Sequence, residues 1–398
     1  MKSERRRLDV TTRHSRLKAD FLHALVLDLR QLGLVANVSR VKRSLRLRVI
    51  LPRTNSTRNW LKQIQQRRLK DEQAFIARMR ARAVDTAFAE GRSIDIDKIK
   101  PVIHFCVSRA DKDLFKFCRL MQSVPASKLL YRQIAALVKD EGQPGAPVIG
   151  AFGLSSTIYS LGCRDRIFGW SRQDSTLAKN AGLAQCMQLS VCMAVPPYNL
   201  LRGSKLVAAL AASAEVALRF QTLYGGSRVQ LRAIVATVAT GIHSPIFNRI
   251  MLRPGGLYRR IGETAGYFTV FFSKGTQLRA RRVVVHRDGS DSSVTDRSIR
   301  TLRRALRICG VPSEKLLSMG GPKGVYLALA GGIPRGSTTF DSRYRPKYLP
   351  AEQIVDYWRR RELVRCVSNP TTLVSLRRFK RDALRSRLIW QRTANRST

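Results

Sequence analysis

Apolar residues near the start of the chain recur at Phe21, Leu22, Leu25, Leu29 and Leu32, the spacing that buries one face of a helix. A partly alternating run over 46–51 predicts a short strand. A second helix is expected over 60–90, with Trp60, Ile64, Phe75, Met79 and Val84 as its apolar positions and Gly91 as its stop. A third helical stretch covers 112–139, broken near Pro125. The Gly- and Pro-rich segment 141–147 then reads as a linker.

Beyond that segment the helical period gives way to uncharged runs. Strands are expected over 148–154, 187–195, 231–239 and 267–272, with a further strand piece over 156–161 and a helix over 204–220. Strand, helix and strand in this order imply a mixed α/β (α+β) sheet domain. A last clear amphipathic helix covers 297–309, with Ile299, Leu302 and Leu306 on one face and Gly310 and Pro312 ending it. The chain thus divides into a basic, mainly helical N-terminal region (1–143), a central α/β domain (144–275) and a basic C-terminal region (276–398).

Charge sharpens this picture. The 398 residues carry 73 Lys and Arg against 27 Asp and Glu, a formal net charge of +46. Residues 1–100 hold 25 basic and 10 acidic side chains, 276–398 hold 27 and 9, and 150–225 only 7 and 3. Such an excess excludes an ordinary neutral metabolic enzyme as the default and points to a polyanion, DNA or RNA above all. An anionic membrane surface is the second candidate for such charge, and an acidic partner subunit the third. With 44% apolar residues, wholesale disorder is excluded. No apolar run follows Arg5-Arg6-Arg7, which argues against a secretory leader, and the most apolar helical stretch, 206–218, is shorter than the roughly 20 residues that span a bilayer. The expectation is a cytoplasmic protein with no membrane partner.

The C-terminal helix carries Arg297, Arg300, Arg304 and Arg307 on one face, and guanidinium forks match phosphate oxygens. The aromatics Trp60, Tyr344, Tyr348 and Trp358 lie among basic residues and could stack on bases or simply anchor a core. In the centre, Asn199, Gly203 and Lys205 sit at a strand-to-helix turn, where backbone N–H groups can receive an anion. Together with Arg164, Asp165, Asn248 and Arg249 they form the candidate pocket. His243 is a candidate base in a loop, and Asp165 and Glu263 are expected to pair with nearby arginines. The seven Cys and five His show no zinc-ligand spacing, so no metal is expected. No nucleophile–base motif compels an enzyme, and no cofactor is required by the sequence.

The ordered motifs Val148-Ile149-Gly150, Leu161-Gly162-Cys163-Arg164-Asp165-Arg166 with Gly169-Trp170-Ser171, Pro196-Pro197-Tyr198-Asn199 with Gly203-Ser204-Lys205-Leu206, Phe247-Asn248-Arg249, and Ile261-Gly262-Glu263-Thr264-Ala265-Gly266-Tyr267 resemble the DruA family. That family belongs to the Druantia anti-phage system. The resemblance covers roughly 145–275 and implies antiviral defence beside other proteins of one locus, a helicase-like protein among them; it implies no reaction. The same order is similar to a GNAT-type acyltransferase fold, whose strand-to-helix turn grips the pyrophosphate of acyl-coenzyme A through a Q/R-x-x-G-x-G/A pattern. Here that turn has only Gly203, with Lys205 where a second small residue is expected.

Overall fold

The computed structural model describes residues 2–31, 35–41, 44–50, 57–122, 131–170, 176–225, 229–238, 243–244, 246–252, 256–264, 272–289, 299–311, 322–330 and 347–387. The first elements in chain order are α1 (Lys2–Gln31), β1 (Val35–Val41), β2 (Ser44–Ile50), α2 (Thr57–Asp71), α3 (Gln73–Ala87), β3 (Pro101–Phe105), α4 (Arg109–Met121) and β4 (Gln133–Asp140). Then come β5 (Val148–Ser156), α5 (Gly162–Ile167), α6 (Thr176–Ala184), β6 (Cys186–Ala194), α7 (Gly203–Leu210), α8 (Ala214–Phe220), β7 (Ala233–Thr237) and β8 (Arg259–Glu263). The last are α9 (Lys274–Asp288), α10 (Ile299–Ile308), β9 (Gly324–Leu329), α11 (Ala351–Trp358), α12 (Pro370–Arg378) and α13 (Asp382–Arg387). They form two compact units, each built from two separated stretches: a helical unit (1–71 and 266–321) and a sheet unit (72–265 and 322–398).

In the helical unit α1 packs on α9, α9 on α10, and the antiparallel β1–β2 hairpin on α1. Its core joins Phe21, Leu22, Leu25 and Leu29 of α1 to Ala280, Val283 and Val284 of α9 and Leu302, Ala305 and Leu306 of α10. A buried ionic cluster fastens the two stretches. Asp28 pairs with Arg67 at 3.0 Å and accepts the Ser273 N–H at 2.8 Å, while Asp71 accepts the Lys274 N–H at 3.3 Å. Two carboxylates thus sit at the N-terminus of α9, where the helix dipole favours negative charge. Gly310 ends α10 at φ 70°, a left-handed value that suits glycine.

The sheet unit has a seven-stranded mixed sheet in the order β3-β4-β5-β6-β7-β9-β8, the expected mixed α/β architecture. Neighbours are antiparallel except for the parallel pair β6 and β7. The central strands are buried on both faces, which is why they read as continuous apolar runs. Ile234, Ala236, Tyr326 and Ala328 face the cluster that holds α7, α8 and α11, whereas Ala233, Val235, Val325 and Leu327 face the cluster of α5.

The structure departs from the sequence pattern in several places. The helix expected over 60–90 is two helices, α2 and α3, and the strand piece expected over 156–161 is not strand beyond Ser156, where β5 ends. Residues 133–140 are strand and not helix: Ile134, Ala136 and Val138 bury one face at period two because β3 and β5 bond to both edges. The stretch 141–147 closes the β4–β5 hairpin; a Cβ on Gly142 would lie 1.5 Å from the Lys98 carbonyl oxygen, so only glycine fits. The helix over 204–220 is split at extended Ser213, which bridges to Leu349. The strand expected over 267–272 falls, except for Phe272, outside the described residues.

Candidate functional site

On α10 the buried side chains are Thr301, Leu302, Ala305 and Leu306, while Arg300, Arg303, Arg304 and Arg307 are exposed on the opposite face. Arg297 lies outside the described residues. Only Arg304 of the exposed four has an acidic partner among the described residues, Asp288 at 2.5 Å, and that hydrogen bond holds the Asp288 carboxyl below the usual carboxylate range. Neighbouring α9 adds exposed Arg279, Arg282 and Arg287. Arg303 completes the face at spacing i, i+3, i+4, i+7, a position the sequence reading passed over for a sparser stripe.

The aromatics beside basic residues serve the core where they are described. Trp358 is buried, and the Tyr348 hydroxyl donates to the Leu231 carbonyl at 3.2 Å. Tyr344 and the Trp60 side chain lie outside the described residues.

The seven candidate pocket residues fall in two places. Arg164 and Asp165 sit on α5, whose Cys163 belongs to one side of the sheet; Gly203 and Lys205 sit on α7, packed on the other side with Phe247, the neighbour of Asn248. Arg164 is fully buried. Its Nε and Nη2 bond Asp165 at 2.9 and 2.5 Å, Nη1 bonds Thr157 Oγ1 and the Ile158 carbonyl at 2.8 Å each, and Nη2 reaches the Tyr159 carbonyl at 3.0 Å. Lys179 adds a second cation on Asp165 at 3.0 Å. The cluster pins the loop after β5 onto α5 and α6. Asn199 and Arg249 are exposed, Arg249 at φ 60° and Asn248 with its N–H on the Ser244 carbonyl at 3.2 Å. His243 is exposed, and Glu263 pairs with Arg260 at 2.6 Å.

The turn before α7 is held from within. Asn199, Leu200, Leu201, Gly203 and Lys205 donate their N–H groups to carbonyls of Val195, Pro197, Tyr198, Tyr198 and Arg202 at 3.0–3.1 Å. A Cβ on Gly203 would come within 2.8 Å of the Tyr198 oxygen. The Tyr198 hydroxyl donates to buried Asp140 at 2.8 Å and locks the turn to the end of β4. Arg202, in the left-handed region at φ 55°, and Lys205 both bind Glu362, at 2.7 and 3.2 Å. Glu362 lies in the π-helical turn Arg359–Leu363 after α11, with its side chain 2% exposed. Burial pushes the Glu362 carboxyl up, but the bonds from Arg202 and Lys205 win and hold it below the ordinary carboxylate range. The turn therefore fits a coenzyme A pyrophosphate poorly: five of its N–H groups are already bonded within the turn and its two cations already hold a carboxylate.

Burial pushes the Cys186 and Cys192 thiols up to about 12, so neither is a thiolate nucleophile at neutral pH. Among the described residues no three His, Cys, Asp or Glu side chains group as a metal site, and no helix is long and apolar enough to cross a membrane.

Compared with known proteins, the chain matches the family model described as Druantia protein DruA over residues 52–299, more than half its length. A curated relative, Druantia protein DruA of Escherichia coli (strain UMEA 4076-1), is 32% identical over 210 residues. That match spans 50% of this chain and 50% of the relative. No solved structure matches. The chain accordingly belongs to the DruA family, named for a component of the Druantia anti-phage defence system.

Proposed function

We propose that the chain serves anti-phage defence by gripping the phosphate backbone of nucleic acid through the exposed arginine face of α10, extended by α9. The observation that carries this reading is that Arg300, Arg303 and Arg307 are exposed together on a helix whose opposite face is buried, with one acid, Asp288, on the two helices. Guanidinium groups at one helical face release condensed counterions when they meet phosphates, so affinity must fall steeply with salt. The test is a titration of duplex DNA and of RNA at several salt concentrations. Binding that is flat across salt, or untouched by reversing Arg300, Arg303 and Arg307 to Glu, defeats the reading.

A GNAT-type acyltransferase is the second reading of the sheet unit. The single parallel strand pair, β6 and β7 joined through α7 and α8, favours it; the five N–H groups already bonded within the turn weigh against it. Calorimetry with acetyl-coenzyme A separates the two, since measurable heat would restore the enzyme. Should the charge serve an acidic subunit of the same locus, or its helicase-like protein, the partner would co-purify after nuclease treatment.

A further inference from the structure

The sheet unit holds a cleft of about 380 Å³ where the start of β4, the end of β5 and the C-terminus of α6 meet. Its size lies near the lower end of ligand pockets, roughly 300–1,000 Å³, which suits one nucleotide-sized guest. Its polar lining is Arg132, Ser156, Thr157, Asn180 and Tyr224.

The chemistry of that lining is uneven. Arg132 binds neutral acceptors: the carbonyls of Leu183 at 3.0 Å, Cys186 at 3.2 Å and Ala184, and Ser156 Oγ at 3.4 Å. No carboxylate pairs with it among the described residues, so its charge is bonded but not neutralised. Thr157 Oγ1 accepts from Arg164, within a cluster that sets two cations against one carboxylate. The wall of the cleft is thus electropositive, and field lines concentrate in such a concavity. Ser156 and Thr157 accept from arginines and keep their own O–H groups to donate. Among the described residues the exposed Asn180 carboxamide has no partner. The Tyr224 hydroxyl is committed to Gln133 through both its donor and its acceptor bond, at 2.8 and 2.7 Å.

Two exposed aromatic residues adjoin the lining residues in sequence. Tyr159, two residues after Thr157, is 51% exposed, with Lys179 Nζ 4.7 Å from its ring centroid. Tyr131, next to Arg132, is 88% exposed at φ 55°. A free carboxamide, two hydroxyl donors, uncompensated positive charge and exposed rings are what a nucleotide uses: an edge to pair, a phosphate to hold and a π-face to stack.

We propose that this cleft binds a single nucleotide, its base stacked on Tyr159 and paired with Asn180, its phosphate drawn by the positive wall. The proposal shares no residue with the arginine face of α10 and does not rest on it. The nucleotide is either free or part of a single strand.

The test uses the full chain with AMP, ribose 5-phosphate and a short single-stranded oligonucleotide, read by saturation-transfer NMR and equilibrium dialysis. AMP is expected to bind through its base protons. Tyr159→Ala and Asn180→Ala should each weaken AMP by about tenfold, and Asn180→Ala, at an exposed position, should do so without moving the melting temperature. Ribose 5-phosphate should bind far more weakly. Reversing Arg300, Arg303 and Arg307 should leave AMP untouched, so failure of the cleft and failure of the α10 reading are distinguishable. An oligonucleotide that binds much more tightly than AMP, and loses that advantage in Tyr159→Ala, identifies a strand; equal affinity identifies the free nucleotide. No binding of AMP or strand, ribose 5-phosphate matching AMP, or affinity unchanged in both variants overturns the proposal.

Discussion

Replacing Glu362 by Ala removes the one carboxylate that Arg202 and Lys205 share. With the Glu362 side chain 2% exposed, its loss leaves Lys205, 17% exposed, beside Arg202 with no counter-charge. Breaking a buried pair costs about 3–5 kcal/mol. The Arg202 side chain is 44% exposed, so it can turn to water, and the estimate falls to about 2–3 kcal/mol. At roughly 2–4 °C per kcal/mol for a unit of this size, the melting temperature should drop by about 5–10 °C. Glu362→Gln keeps the shape and one acceptor, and should lose about half as much.

The pH dependence follows from the direction of the shift. The folded pKa of Glu362 is depressed below its ordinary 4.5, so its contribution is complete above that pH and disappears as pH falls through the depressed value. The gap between wild type and Glu362→Gln, measured by calorimetry, should be constant near neutrality and shrink below pH 4.5. A melting point within about 1 °C of wild type for Glu362→Ala, or a gap that persists undiminished in acid, refutes the reasoning.

Other expectations follow from the same physics. Arg164→Lys, which cannot reproduce the fork on Asp165 or reach three loop oxygens, should cost about 3 kcal/mol or more in a denaturant titration at unchanged m; a cost under about 1 kcal/mol would show that the cluster does not pin the loop. Arg67→Met should leave Asp28 charged and buried in the helical unit and cost about 3–5 kcal/mol by the same assay, against little change if the pair is incidental. Cys186, fully buried with its thiol pushed up to about 12, should resist a thiol reagent in the native chain at mildly alkaline pH and react at once when unfolded.

The fold was legible where burial is two-sided or periodic. Strands β5, β6 and β7 announce themselves because both faces are covered, and α10 because its apolar stripe meets the core while its arginines do not. The segment that became β4 was misread because Ala, Leu and Val there fit a helix as well as a strand; pairing with β3 and β5 decided it. β8, Arg-Arg-Ile-Gly-Glu, is a polar edge strand with no apolar period to detect. The Gly- and Pro-rich stretch 141–147 carries the composition shared by linkers and hairpin turns, and only the partners of its neighbours tell them apart.

The local pairs Arg164–Asp165 and Arg260–Glu263 were readable as neighbours in sequence. Glu362 was not: it stands in a run of arginines that reads as solvated charge, and its partners lie 157 and 160 residues away. The discontinuous make-up of both units has no compositional mark, because charge records surface and not which stretches share a core.

The most direct measurement is the slope of log affinity for duplex DNA against log salt, for the wild type and for Arg300, Arg303 and Arg307 reversed together. Each phosphate contact contributes about 0.9 to that slope, so the variant should be shallower by roughly 2–3 and bind more weakly at every salt concentration. Equal slopes for the two proteins would contradict a phosphate-gripping face on α10.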